Sequence, residues 1–258
     1  SRGLGDVYKR QLLDRAGAYE SSEYDGAQDH DLMLRLTEQT TRDKIAHIKK
    51  VLYIWRGHAG STAAGMEAKP YALAAGVRAI DAQLRLNLPG KAMQVEGAPG
   101  AFQVRYELTG HPLVSVMIPN KDHIDDLDRC LKSLYANAGY DNFEVLVIEN
   151  NSEQQETFAY YKTMPERYPN SRVVTYVGPF NFSAVNNLGA RFAKGEHLLL
   201  LNNDIEVLSH DFLRELLSYS QRPDVGAVGA KLYYPDDTIQ HAGVIMGING
   251  SAGLSLIH

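Results

Sequence analysis

Over the second half of the chain, continuous apolar runs alternate with stretches of helical spacing. The runs cover 114–118, ending at Pro119; 144–148; 172–176; and 197–201, which Asn202 cuts off. Leu127, Cys130, Leu131 and Leu134 recur at helical spacing within 125–138, and 183–193 repeats that pattern. Unbroken apolar strands separated by amphipathic helices predict an α/β fold with a mostly parallel sheet and helices on both faces. The first half reads differently. Leu32, Met33 and Leu36 mark a helix; Ile45, Ile48, Val51, Leu52 and Ile54 have strand-like spacing; a Gly-Ser turn covers 57–62; and 70–88 is again helical. Between the halves, 89–112 holds Gly90, Gly97, Pro99, Gly100, Gly110 and Pro112, the composition of a linker.

Composition narrows the classes. The 258 residues, 44% hydrophobic and 22% charged, carry 26 basic and 31 acidic side chains for a net charge of −5. That balance lacks the basic excess with which proteins release counterions from a phosphate backbone, so a nucleic-acid partner is not expected. Cys130 is the only cysteine, which excludes an internal disulfide and points to a reducing, cytoplasmic setting with peripheral attachment to the cytoplasmic membrane as a variant. No run approaches the ~20 apolar residues of a transmembrane helix.

Both ends read as foreign. One DNA string encodes Asp6-Val-Tyr-Lys-Arg-Gln11, and its reverse complement encodes Leu254-Ser-Leu-Ile-His258. This inverted repeat resembles the transposon adapter used to fragment DNA, so 1–11 and 254–258 are expected to be adapter-derived.

In an open parallel sheet, ligands bind beyond the carboxyl ends of the strands. There the sequence places Asn120, Lys121 and Asp122; Glu149, Asn150, Asn151 and Ser152; and Asn202, Asn203, Asp204 and Glu206. These types also serve turns and caps. Their convergence at three strand ends, with no Gly-x-Gly-x-x-Gly and no Gly-Lys-Ser/Thr loop, favours a nucleotide site of another kind. Asp204 is a hard oxygen ligand suited to Mg²⁺ or Mn²⁺ bridging a diphosphate.

Four segments carry a family resemblance: Val114-Ser-Val-Met-Ile-Pro-Asn-Lys-Asp122, Val147-Ile-Glu-Asn-Asn-Ser152, Phe182-Ser-Ala-Val-Asn-Asn-Leu-Gly-Ala190 and Gly195-Glu-His-Leu-Leu-Leu-Leu-Asn-Asn-Asp204. In order and spacing they resemble the donor-binding half of a family 2 glycosyltransferase with the GT-A fold. The resemblance implies that Pro119, Asn120, Asp122 and Glu149 hold the base and ribose of a nucleotide-diphospho-sugar, a UDP- or dTDP-sugar. Asn151, Asn186, Asn202 and Asn203 complete the donor set. Asp204 carries the metal, although Asn202 departs from the family's Asp-x-Asp pattern at its first position.

The N-terminal part resembles the acceptor-side half of the same kind of domain. Gly26-Ala-Gln-Asp-His-Asp-Leu32 is similar to the motif with the catalytic base, which makes Asp29 the expected base; Trp55-Arg-Gly-His-Ala-Gly-Ser-Thr62 is similar to the segment after it, with His58 a metal-ligand candidate. Asp29 also suits a helix N-terminus, Asp31 suits a structural role, and His58 also suits an exposed turn. The implied organisation is an acceptor-side remnant of one transferase domain (12–88), a linker (89–112) and the donor-binding half of a second (113–253). Such a protein transfers a sugar with inversion to a glycan or lipid-linked glycan in cell-surface polysaccharide synthesis, rhamnose transfer being one variant. A non-catalytic nucleotide-sugar-binding remnant is the alternative. A nucleotidyltransferase ranks lower, because Pro119-Asn-Lys-Asp122 lacks the glycines of its first loop.

Overall fold

The computed structural model describes residues 8–17, 22–48, 50–52, 70–88, 93–98, 101–246 and 252–254. The chain divides into two compact units, Ser1–Glu107 and Leu108–His258.

In the first unit, α1 (Arg10–Ala16) precedes α2 (Gln28–Glu38), which buries Leu32 and Leu36 one turn apart. Asp31 lies on the same buried face, where its carboxylate accepts from Arg35 four residues on, at 2.6 Å. The Arg35 guanidinium also donates to the Ala16 carbonyl, tying α2 to the end of α1. The Asp31 carboxylate is thus engaged in an ion pair within α2. Helix α3 (Pro70–Asn87) follows the predicted span closely.

Two expectations change here. The apolar positions at 45–52 form no strand: Ile45, Ile48, Val51 and Leu52 are all exposed, Val51 by 91%. Alternation marks a strand only where a neighbour completes its backbone ladder, and no described segment pairs with this one. Conversely, the breaker-rich stretch 89–112 is more than a linker, since it contains the hairpin β1 (Met93–Ala98) and β2 (Ala101–Tyr106). A Cβ at Gly97 would lie 2.8 Å from Leu73 Cδ1, so this glycine is what lets β1 approach α3.

The second unit is built on a parallel sheet of β3 (Val114–Asn120), β4 (Phe143–Glu149), β5 (Ser171–Thr175) and β6 (His197–Leu200), in spatial order β5-β4-β3-β6. Helix α4 (Ile124–Asn137) crosses from β3 to β4, α5 (Gln155–Arg167) from β4 to β5, and α6 (Phe182–Phe192) from β5 to β6. Strand β4 is buried along its whole length. On one face, Val116, Ile118, Val145 and Val147 pack with Leu127, Leu131, Leu134 and Met164, and with Leu213 and Leu217 of α7 (Phe212–Ser220). On the other, Met117 and Ile148 pack with Val185 of α6. Strand β6 departs from the double coverage its sequence predicts. Leu198 and Leu200 are 45% and 52% exposed, because β6 is the sheet edge and α6 lies over β3 and β4 instead. Beyond α7 come two short antiparallel pairs, β7 (Leu232–Tyr233) with β8 (Ile239–His241) and β9 (Val244–Met246) with β10 (Ala252–Leu254).

Asp128 of α4 clasps α5. Its carboxylate accepts from the Tyr160 and Tyr168 hydroxyls, both at 2.8 Å, and from Arg167 at 3.0 Å. Burial works against its charge, but the hydrogen bonds from Tyr168, Tyr160 and Arg167 outweigh it and hold the carboxyl below its ordinary value. A depressed folded pKa stabilises the fold above the unfolded value near ~4, and that contribution disappears as pH falls through the folded one. Asp128→Asn is therefore expected to lower unfolding stability by about 1–2 kcal/mol at pH 7, with a difference from the unsubstituted chain that shrinks towards pH 3. Urea unfolding at both pH values checks this.

Candidate functional site

The strand order reverses at β3: β3, β4 and β5 step one way, and β6 returns on the other side of β3. That switch point opens a crevice beyond the carboxyl ends of β3 and β6, the place where open α/β sheets bind ligands. Pro119 widens it. In a parallel strand successive residues aim their backbone groups at alternate neighbours; Asn120 O accepts from Asn150 N beside β4, while Met117 O accepts from Leu201 N beside β6. The position of Pro119 therefore faces the β6 side, just past the last ladder pair, Met117 with Leu200. A residue without an N–H is tolerated there because the neighbouring strand has already left.

Across the crevice, Asn203 Nδ2 donates to Asn120 Oδ1 at 2.7 Å. Asn120 Nδ2 donates to the Tyr161 hydroxyl at 2.8 Å, and that hydroxyl donates to Glu149 Oε2 at 2.8 Å. Glu149 also accepts from Ser152 N at 2.6 Å and from Ser152 Oγ at 2.5 Å. One chain of hydrogen bonds thus joins the ends of β6, β3 and β4. Asn120 and Glu149 are both buried, so this network is in low dielectric where each bond counts for more.

Asp122 sits in the left-handed region at φ 53° and is followed by His123 at φ 46°. Two consecutive residues other than glycine in that region store strain at the strand tip. The turn aims the Asp122 carboxylate at the start of α5, where it accepts from Glu153 N and Gln154 N, each at 3.0 Å, and from Thr157 Oγ1 at 3.1 Å. The amides of Gln154 and Glu153, with the Thr157 hydroxyl, hold this carboxyl below its ordinary value. It satisfies the amide of the α5 N-cap, Gln154, and that of the residue before it, which the helix cannot satisfy itself.

The structure thus brings Asn120, Asp122, Glu149 and Asn203 into one locality, with Asn202 and Asp204 on the turn that follows β6. Asn151, left-handed at φ 61°, is exposed and donates to Gly178 O at 2.7 Å. Asn186 is buried in α6, where Nδ2 donates to Phe182 O while Oδ1 has no partner. Asp29 lies in the first turn of α2, half-buried, its Oδ1 accepting from His30 N at 2.8 Å. His58 and Trp55 lie outside the described residues. Sequence reasoning missed Tyr161 and Thr157, which line one face of α5 four residues apart and reach the strand tips only once that helix is in place.

Among the described residues no group of three or more His, Cys, Asp or Glu gathers as a metal cage. The crevice instead offers the exposed Asp204 carboxylate beside amide side chains, all hard oxygen donors. A single carboxylate fits Mg²⁺ or Mn²⁺ that keep several waters and take their remaining ligands from substrate phosphates. Cys130 lies under this turn, its Sγ 3.5 Å from Asn202 O, and burial with the nearby Asp204 charge pushes its thiol up to about 12. A thiol so raised is neither a nucleophile nor a thiolate ligand.

The chain is similar to several known proteins. The O-antigen biosynthesis protein RfbC of Myxococcus xanthus is 44% identical over 250 residues, 96% of this chain and 19% of that protein. The protein y4gI of Sinorhizobium fredii is 41% identical over 249 residues, 96% of this chain and 27% of that protein. The chain spans about a quarter or less of the length of these curated relatives. Among solved structures, a mannosyltransferase from Pyrobaculum calidifontis in complex with GDP-Man and Mn²⁺ superposes with a TM-score of 0.44 at 23% identity, covering 50% of this chain and 38% of its own. No described helix is long and apolar enough to cross a membrane. Residues 115–246, which include the whole parallel sheet from its second residue on, match the family Glycosyl transferase family 2, and the chain belongs to that family.

Proposed function

We propose that the second unit binds the nucleotide-diphospho-sugar donor of a glycosyl transfer in the crevice between β3 and β6. The observation that carries this reading is the hydrogen-bonded closure of three strand ends around a switch-point crevice, with Asp204 exposed at its rim. Asn120, Asp122 and Glu149 spend their side chains on Asn203, Tyr161, Ser152, Thr157 and the amides of Glu153 and Gln154, so their part is to hold the strand-tip loops in shape for the base and ribose. Pro119 opens the crevice. Asn151, Asn202 and Asn203 offer amide groups at or near the surface, and the orphaned Oδ1 of buried Asn186 is an acceptor for a donor hydroxyl. Asp204 is the ligand for Mg²⁺ or Mn²⁺, which when bound offsets charge on the departing diphosphate.

The donor is a UDP- or dTDP-sugar and the acceptor a glycan or lipid-linked glycan, in the synthesis of a cell-surface polysaccharide. The relative named for O-antigen biosynthesis supports that setting. Asp29 is the general base of an acceptor-side part-domain in the first unit, taking the acceptor proton as its oxygen attacks with inversion at the anomeric carbon. The two units then belong to successive transferase domains, as the small share of the relatives' length covered by this chain supports.

Calorimetric titration with UDP and dTDP, each with and without Mn²⁺, tests the reading. Binding of either nucleotide that tightens with Mn²⁺ is expected; a folded chain that takes up neither overturns it. Asp29→Asn is expected to slow sugar transfer in the longer enzyme and leave nucleotide binding intact, because the donor-side residues all lie in the second unit. Metal-tightened binding without any donor turnover would favour the non-catalytic alternative, for which Asn202 at the first motif position speaks.

A further inference from the structure

The turn that bears Asp204 hangs from α4 by three polar side chains. Cys130, Ser133 and Asn137 are spaced i, i+3 and i+7 and so lie along one stripe of the helix. Cys130 Sγ–H donates to Asn202 O at 3.5 Å. Ser133 Oγ donates to Cys130 O at 3.0 Å and accepts from Val207 N at 2.9 Å; Asn137 Nδ2 donates to Val207 O at 2.7 Å. Both backbone groups of Val207 are therefore satisfied by α4 side chains, which stand in for the neighbouring strand that this segment lacks once β6 has ended. Leu201 and Val207 are themselves buried in the core on either side of the turn, and Asn203 is held by Asn120. Asp204, in the middle, is exposed. A segment fixed at 201, 202, 203 and 207 leaves its central carboxylate little room to wander.

We propose that Ser133 and Asn137 are positioning residues for the transfer reaction: by clamping Val207 they fix where Asp204 presents its carboxylate, and so set how strongly divalent metal and nucleotide diphosphate reinforce each other's binding. The proposal rests on the reading of Asp204 given above. Donor sites held within about half an ångström of the working geometry owe that precision to the groups behind them. Loss of such supporting groups typically weakens metal sites ~10–100-fold. A purely structural role for Ser133 and Asn137 would instead lower stability and leave the coupling between metal and nucleotide unchanged.

The test measures the ratio of UDP and dTDP dissociation constants without and with Mn²⁺, in the full chain. The unsubstituted chain is expected to show a ratio within the ~5–150-fold range usual for linked binding. Ser133→Ala with Asn137→Ala should bring the ratio down to ~1–3 while nucleotide affinity without metal stays the same. Ser133→Thr, which keeps the hydroxyl, should retain the coupling. Asp128→Asn, which weakens the same helix at a place that does not touch the turn, should lower the melting temperature and leave the ratio as it was. Should the double substitution prevent folding, Ser133→Ala alone is read in the same way. A coupled unsubstituted chain whose Ser133 and Asn137 variants stay equally coupled overturns this inference and leaves the Asp204 reading standing. An unsubstituted chain that binds nucleotide with no response to Mn²⁺ overturns the Asp204 reading and this inference together.

Discussion

Asp204→Ala is expected to abolish the Mn²⁺-dependent part of nucleotide binding, leaving the weak metal-independent affinity for UDP or dTDP as it is. The argument is one of donor count. Among the described residues no group of three or more His, Cys, Asp or Glu gathers as a metal cage, so the loss of Asp204 leaves no ready-made set of protein ligands. Supporting groups around a metal already account for ~10–100-fold in affinity, and a direct carboxylate ligand should exceed that, so apparent Mn²⁺ affinity should fall by ~100-fold or more. Asp204→Asn keeps an oxygen donor but not the charge and should fall between. Because Asp204 is exposed and lies on a turn, neither change should disturb the fold. A Mn²⁺ response that survived Asp204→Ala would move the metal elsewhere.

Glu149→Ala should produce the largest loss of stability among single changes at the site. Its carboxylate is the terminus of the network: the Tyr161 hydroxyl and both the amide and hydroxyl of Ser152 donate to it. Removing it strands the buried Tyr161 hydroxyl and two half-buried Ser152 donors, at ~1–3 kcal/mol each where water is excluded, so a total near 3 kcal/mol is expected after local relaxation. The loss should spread to function, because Tyr161 then no longer holds Asn120, nor Asn120 the Asn203 amide beside Asp204. Urea unfolding and nucleotide titration of the same preparation would register both. Glu149→Gln, which retains one acceptor oxygen, should cost less on each measure. A Glu149→Ala chain within ~1 kcal/mol of the unsubstituted one would mean the network is ornamental.

The parts of the fold that sequence could announce are those whose signal is local. Strands β3, β4 and β6 are continuous apolar runs ended by polar turn residues, and α4 carries its buried Leu127, Cys130, Leu131 and Leu134 at helical spacing. Helix α5 was illegible because its inward face is Thr157, Tyr161 and Met164, only one of them plainly apolar, with Pro165 inside the helix. Yet that polar face organises the site. Conversely, Ile45 to Leu52 has a strand's pattern without a strand's neighbour among the described residues, and periodicity carries no information about neighbours. The pairing of β1 with β2 was concealed in part by Gly97, a breaker by composition that serves close approach to α3.

The site shows the same division. The sequence placed Asn120, Asp122, Glu149 and Asn203 at strand ends, which the sheet order then brings together. It could not tell that these side chains are engaged within the protein, Asn120 by Asn203 and Tyr161, Glu149 by Tyr161 and Ser152, and Asp122 by Glu153, Gln154 and Thr157, since that depends on α5 and on the left-handed turn at Asp122. The stripe of Cys130, Ser133 and Asn137 on α4 is visible as spacing in the sequence, but its partner segment lies some 70 residues away, as the separation of Asn137 from Val207 indicates.

Hydrogen exchange of the chain with and without UDP and Mn²⁺, and in parallel with dTDP, tests the central claim most directly, because it reports where the nucleotide sits whether or not turnover occurs. Slower exchange is expected at amides of 120–123, 150–154 and 202–207, the three loops that close the β3–β6 crevice. Slowing confined to 22–48, or no slowing anywhere under saturating nucleotide, would contradict a donor site at these strand ends.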